Sequence, residues 1–196
     1  MPRKKSIRAA ANRFIRWSEA LETYYRDIVG SDLGAQTVTW ACESAVVKLH
    51  VYFEHLMLDT LVGAINNNTS TLTHSTGINF PRHLTDEVCE YIVTGGRFFD
   101  FRGRDGLIKL LKRYVPEKHY VVRVVKKQRY RQTLEHLVAL RNLAAHESRV
   151  GKRVAKDVVD PSLGSAGVWL RRDNRFLDLT DRLKELAREL RRAAPY

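Results

Sequence analysis

Gln36-Thr-Val-Thr-Trp40-Ala-Cys-Glu-Ser-Ala-Val-Val-Lys-Leu-His50-Val-Tyr-Phe-Glu54-His-Leu-Met-Leu-Asp59-Thr-Leu-Val-Gly-Ala-Ile65 is the stretch on which the fold turns. Trp40, Val47, Val51, Leu58 and Ile65 form one apolar stripe at helical spacing, and Val46, Leu49, Phe53, Leu56 and Leu61 form another. A helix apolar on most sides is one that other helices surround, so residues 36–65 predict a central, buried helix. Asn66-Asn-Asn-Thr-Ser-Thr breaks it, and a polar loop follows to Pro81.

Working outward, Phe14, Trp17, Leu21, Tyr24 and Ile28 predict an amphipathic helix over 7–29, ended by Gly30 and Gly34. Their aromatic rings read as core rather than as a base-stacking platform. Thr85 caps a short helix over 86–94, with Asp86 and Glu87 in its first turn and Gly95-Gly96 after it. Asp105 caps another over 106–114, ahead of Pro116. Val121 to Val125 is either a brief strand or the lead into the next helix, 128–147, which Leu134, Leu137, Val138, Leu140, Leu143 and Ala144 carry. Gly151, Pro161, Gly164 and Gly167 mark a loop region, and Gly167-Val-Trp-Leu-Arg with Arg175-Phe-Leu suggests a small hairpin near 167–177. The last helix starts at the Thr180 cap and carries Leu183, Leu186 and Leu190. No internal repeat or linker stands out. The expectation is all-α: one helical-bundle domain over 1–196, with a basic N-terminal helix in 1–34 and the core in 36–192.

The 196 residues suffice for a sizeable core, and 29% charged with 44% apolar residues is an ordinary globular mix. Cys42 and Cys89 make no disulfide framework, so a reducing, cytoplasmic setting is expected. Met1-Pro-Arg-Lys-Lys leads into no apolar run of a secretory signal, and no stretch reaches the roughly 18 apolar residues of a membrane helix. The net charge of +12 is uneven: residues 35–99 carry 3 basic and 6 acidic side chains, residues 100–160 carry 16 and 7. Such asymmetry points to a polyanion, with Arg123, Lys126, Lys127, Arg129 and Arg131 as its contacts. Scattered solvated cations are the plainer alternative.

Within this basic part lies Leu137-Val-Ala-Leu-Arg141-Asn142-Leu-Ala-Ala-His146. Arginine grips phosphate as a fork, histidine moves protons near neutral pH, and asparagine can hold a phosphate oxygen or orient the histidine. These are the groups that RNA cleavage needs without a metal: a base for the 2′-hydroxyl, charge stabilisation at phosphorus and an acid for the leaving 5′-oxygen. At about 100° per residue, Asn142 and His146 share a helix face, whereas Arg141 and His146 stand about 140° apart. Either the arginine reaches round, or the helix loosens near its end, or two copies share one cleft. The plainer readings are that His146 caps the helix, that Arg141 is glue for an acid such as Glu54, and that Glu54 is a surface acid. Glu54 lies on the stripe of Val47, Val51 and Leu58, so if buried it needs a partner, with Arg141 and His50 the candidates. His55, His74, His83, His119 and His136 show no metal-ligand spacing, and there is no P-loop, dinucleotide fingerprint or nucleophile elbow.

Arg141-Asn142-Leu-Ala-Ala-His146 resembles the motif of the HEPN superfamily: arginine, a polar residue, then histidine four to six positions on. Leu49-His-Val-Tyr-Phe-Glu54-His-Leu-Met-Leu-Asp59 looks like that superfamily's central helix with its inward acid, matched best by Glu54. Leu107-Ile-Lys-Leu-Leu-Lys-Arg, and Gly167-Val-Trp-Leu with the final helix, resemble the RiboL-PSP-HEPN group, so the likeness spans most of 36–192. The resemblance implies a four-helix core with extra short helices, and a homodimer with a composite cleft. It also implies metal- and cofactor-independent endoribonuclease activity of the kind found in toxins and phage-defence nucleases. Arg141 and His146 would be catalytic, with Asn142 and Glu54 supporting. RNA, a second copy and an antitoxin protein would be the partners, with no membrane. A non-catalytic HEPN-like module that binds nucleic acid or nucleotide, or scaffolds a partner, is the alternative. A DNA-binding regulator is another, though no helix-turn-helix spacing supports it.

Overall fold

The computed structural model describes residues 4–146 and 148–195, without the side chains of His74 and Ser75. It is all-helical; among the described residues there is no strand. The helices are α1 (Ile7–Val29), α2 (Ala35–Asn67), α3 (Ser70–Thr76), α4 (Asp86–Thr94), α5 (Gly103–Leu111), α6 (Tyr120–Val125), α7 (Arg131–His146), α8 (Arg149–Val158), α9 (Ala166–Arg171) and α10 (Arg175–Ala193).

α2 is the predicted central helix, and α1, α4, α7 and α9 pack around it. Leu49, Phe53, Leu56, Met57, Leu61 and Ile65 are solvent-free, as a stem surrounded by neighbours requires. Trp40 departs from the expected stripe: it lies near the start of α2 and is 58% exposed, although Val38 and Cys42 on either side of it are buried.

α1 begins where Ser6 accepts a hydrogen bond from the Ala9 amide, 3.3 Å, and ends at Gly30. It is built into the core through Ile7, Phe14, Leu21 and Tyr25, packing on both α2 and α10. Trp17 and Tyr24, expected inside, are exposed on its outer flank, Trp17 against Tyr52 of α2. Asp59 receives Lys5 at 2.5 Å and also Arg13, so a buried acid of α2 is held by two cations from the N-terminal segment. Close approach needs glycine: a Cβ on Gly63 would stand 2.9 Å from Cγ1 of Ile7 and 3.0 Å from the Lys5 carbonyl oxygen.

Several expectations change downstream. The polar stretch after Asn66 contains α3, which carries Leu72 into the core. Thr85 caps α4 as read, its Oγ1 3.3 Å from the Val88 amide, and Gly95 closes it at φ 60°. α5 starts at Gly103, ahead of Asp105. Val121–Val125 is helical, because Val121, Val122, Val124 and Val125 all meet the core and an alternating strand would bury only half of them. The helix expected over 128–147 is a 3-10 turn, Gln128–Tyr130, followed by α7; its last expected residue, Glu147, lies outside the described residues.

The loop expected around Gly151 is α8, capped by Ser148, whose Oγ accepts from the Gly151 amide at 3.0 Å. The hairpin expected near 167–177 is absent. α9, a 3-10 turn at Arg172–Asn174 and the start of α10 occupy it, since Gly167, Leu170 and Phe176 all turn into the same core. α10 therefore starts at Arg175, and Thr180 sits inside it, buried, bonding the Phe176 carbonyl at 2.8 Å. Cys42 and Cys89 are buried and free, and burial pushes both thiols up to about 11. No described helix is long and apolar enough to cross a membrane.

Candidate functional site

α7 is anchored by Leu134, Leu137, Leu140 and Leu143, all buried. That anchoring leaves Arg141 and Asn142 half-buried on its edge. Arg141 donates from Nη1 to Oδ1 of Asn142 at 2.9 Å, so the two motif residues form one unit. The Arg141 Nε is buried with no hydrogen-bond partner, and among the described residues Arg141 makes no ion pair. Structural glue to Glu54 is therefore not what the geometry displays.

The guanidinium stands between two clefts. One, about 380 Å³, is lined by His50 of α2, Phe101 and Gly103 at the head of α5, Val138 and Asn142 of α7, and Val154 and Val158 of α8. The other, about 620 Å³, holds Glu54, His55, Glu90 and Arg97 beside Phe98 and Phe99. Arg141 and Asp100 line both. Glu54, only 18% exposed at its side chain, has its Oε2 3.5 Å from Nδ1 of His50, one of the two partners its burial called for. His50 is buried, its ring stacked on Phe101 with centroids 5.5 Å apart.

Arg141 thus shares one cleft with Asn142 and His50 and the other with Glu54, and Asp100 lines both. His146 ends α7, exposed, and lines neither cleft that Arg141 lines. The wide angle read from the helix between Arg141 and His146 persists on one chain.

The five expected RNA contacts are exposed, but four are engaged at home. Lys126 pairs with Glu117 at 2.6 Å, Lys127 with Glu189 at 2.9 Å, Arg129 with Glu185 at 3.0 Å and with Glu189, and Arg131 with Glu135 at 2.9 Å. Hydrogen bonds from Lys112 and Lys126 hold the Glu117 carboxyl down at about 2. Arg123 alone of the five makes no ion pair among the described residues.

α8 supplies what the sequence reading missed. Arg149, Lys152, Arg153 and Lys156 recur at helical spacing, which sets them on one face about 100° wide, and none makes an ion pair among the described residues. That spacing was legible, but Gly151 read as a loop marker hid it. For Asp100, which lies between helices, no sequence signal existed. Among the described residues no group of three His, Cys, Asp or Glu could hold a metal ion, and the side chain of His74 lies outside them. Comparison with protein-family models, curated proteins and solved structures gave no match.

Proposed function

We propose that the protein is an endoribonuclease of HEPN type, cutting RNA by attack of its own 2′-hydroxyl. The observation that carries this reading is the Arg141–Asn142 unit: an arginine with no acid partner among the described residues, its Nε without a hydrogen bond there, at the junction of two clefts. A phosphate is the acceptor such an arginine lacks. The resemblance of Arg141-Asn142-x-x-x-His146 to the HEPN motif supplies the reaction. In that reaction a histidine removes the 2′-hydroxyl proton, O2′ bonds to phosphorus, the bond to O5′ breaks, and an acid protonates O5′. Arg141 stabilises the added negative charge, Asn142 steadies the guanidinium, and Glu54 holds the site's inner wall through His50. Because His146 lines neither cleft on its own chain, the reading places it in a composite cleft made by two copies. A toxin or phage-defence role in the cytoplasm, with an antitoxin as partner, extends the same resemblance.

The test is a cleavage assay on single-stranded RNA. Products should carry a 2′,3′-cyclic phosphate and a 5′-hydroxyl, and cutting should persist in excess chelator because side chains perform every proton transfer. His146→Ala should lose about 10²- to 10⁴-fold and Arg141→Ala about 10²- to 10³-fold, both with unchanged circular dichroism. Full activity of the His146 variant, or 5′-phosphate products, would overturn the reading. A wild type that binds RNA and never cuts it would favour the non-catalytic module. His146, which lines neither cleft that Arg141 lines, is the observation on that side.

A further inference from the structure

We propose that His55 is the general acid of the reaction, the group that protonates the departing O5′. This rests on the nuclease reading above, which gives the 2′-hydroxyl proton to the motif histidine and leaves the acid unassigned.

α2 sets His55 in place. Val51, Glu54, His55 and Leu58 recur at three- and four-residue spacing, so one face of that helix lines the cleft of about 620 Å³ that Arg141 also lines. His50 is buried, whereas His55 is exposed, so its ring meets a ligand directly. Trp17 of α1 stands against it edge-on, with ring centroids 6.2 Å apart, and steadies the ring. Among the described residues His55 makes no hydrogen bond or ion pair, so it has no partner to give up when a ligand arrives.

The charges around it suit a phosphodiester. Arg97, from the loop after α4, lines the same cleft, and like Arg141 it makes no ion pair among the described residues. Three acids line it too. Glu54 has His50 at 3.5 Å and Glu90 has Lys5 at 3.9 Å, which leaves Asp100 unpaired among the described residues. Two unpaired arginines against one unpaired acid leave one positive charge over, and a phosphodiester carries one negative charge.

The acid follows by elimination along the lining. Carboxylates are ionised near neutral pH and have no proton to give, and arginine holds its proton too firmly. The Thr94 hydroxyl already donates to the Glu90 carbonyl at 2.9 Å. Histidine alone of the lining groups exchanges a proton near neutral pH. The step then balances. His146 from the second copy takes the 2′-hydroxyl proton as O2′ bonds to phosphorus. The bond to O5′ breaks with its electron pair on O5′, and the imidazolium of His55 supplies the proton. Afterwards His55 regains a proton from water and His146 releases its own.

The experiment compares ordinary RNA with the same strand carrying sulfur in place of O5′ at the cut. A thiol has a pKa of about 8.5, so the thiolate leaves without being protonated. His55→Ala should lose about 10²- to 10⁴-fold on ordinary RNA and less than about tenfold on the sulfur strand, while His146→Ala should lose about equally on both. Recovery on the sulfur strand also shows that the His55 variant is folded. A His55 variant that cuts ordinary RNA like the wild type overturns the assignment and leaves the nuclease reading standing. So does an equal loss on both strands, which marks a structural side chain. A wild type that cuts neither strand defeats the nuclease reading itself, and the acid assignment falls with it.

Discussion

Lys184 is buried on the inner face of α10, its ammonium 2.6 Å from Glu22 of α1 and 2.9 Å from Asp181. Burial opposes its charge, yet the hydrogen bonds to these two acids outweigh it and raise its pKa. Glu22 is equally enclosed. Lys184→Met should therefore cost on the order of 3 kcal/mol, because it leaves the buried Glu22 with only the exposed Arg26, 3.7 Å away, as counter-charge. Adding Glu22→Leu should recover most of the loss. Urea midpoints of the two variants check this, and a double variant as weak as the single one would contradict it. No spacing rule announced this pair, since a lysine between Leu183 and Leu186 reads as the solvated side of a helix. Arg141 and Asn142 were legible because their chemistry is written in adjacent letters. His50 was visible only as a partner for Glu54, because its place in the Arg141 cleft depends on how α2 and α7 cross.

At the scale of elements, caps and long periodicities carried the reading. Ser6 and Thr85 bond the amides that a cap must, and α2 has the burial its two stripes demand. Short elements went astray where glycine was taken as punctuation. Gly167 shows why: it lies inside α9, buried, where a Cβ would collide with the Thr39 carbonyl of α2. The glycine is there for the helix crossing, not for a turn. Gly167→Ala should lower stability by about 1–3 kcal/mol through overpacking, whereas Gly164→Ala, with nothing within 4 Å of the new methyl, should change it little. Chemical denaturation of the pair tests this. An indifferent Gly167 variant would mean that α9 slides on α2 without penalty.

Across the whole molecule, a net charge of +12 was readable from the letters, but its free part was not. Lys126, Lys127 and Arg129 are held by Glu117, Glu185 and Glu189, two of these acids more than fifty residues away in α10. Neutralising Arg149, Lys152, Arg153 and Lys156 together should therefore flatten the slope of log RNA affinity against log salt by about one unit or more. Neutralising Lys126, Lys127 and Arg129 should flatten it less, because each already has its counter-charge. Equal effects, or a larger one from the second set, would place the polyanion surface on the α6–α7 side. The all-helical class, the central place of α2 and the Arg141-Asn142 pair follow from the sequence by itself, because periodicity, capping and side-chain chemistry act within a few residues. Which cations are paired, which histidine shares a cleft with Arg141, and that α9 is a helix were decided only by tertiary structure. Charge pairing, cleft walls and short-helix stability come from neighbours far along the chain, and no local pattern records who those neighbours are.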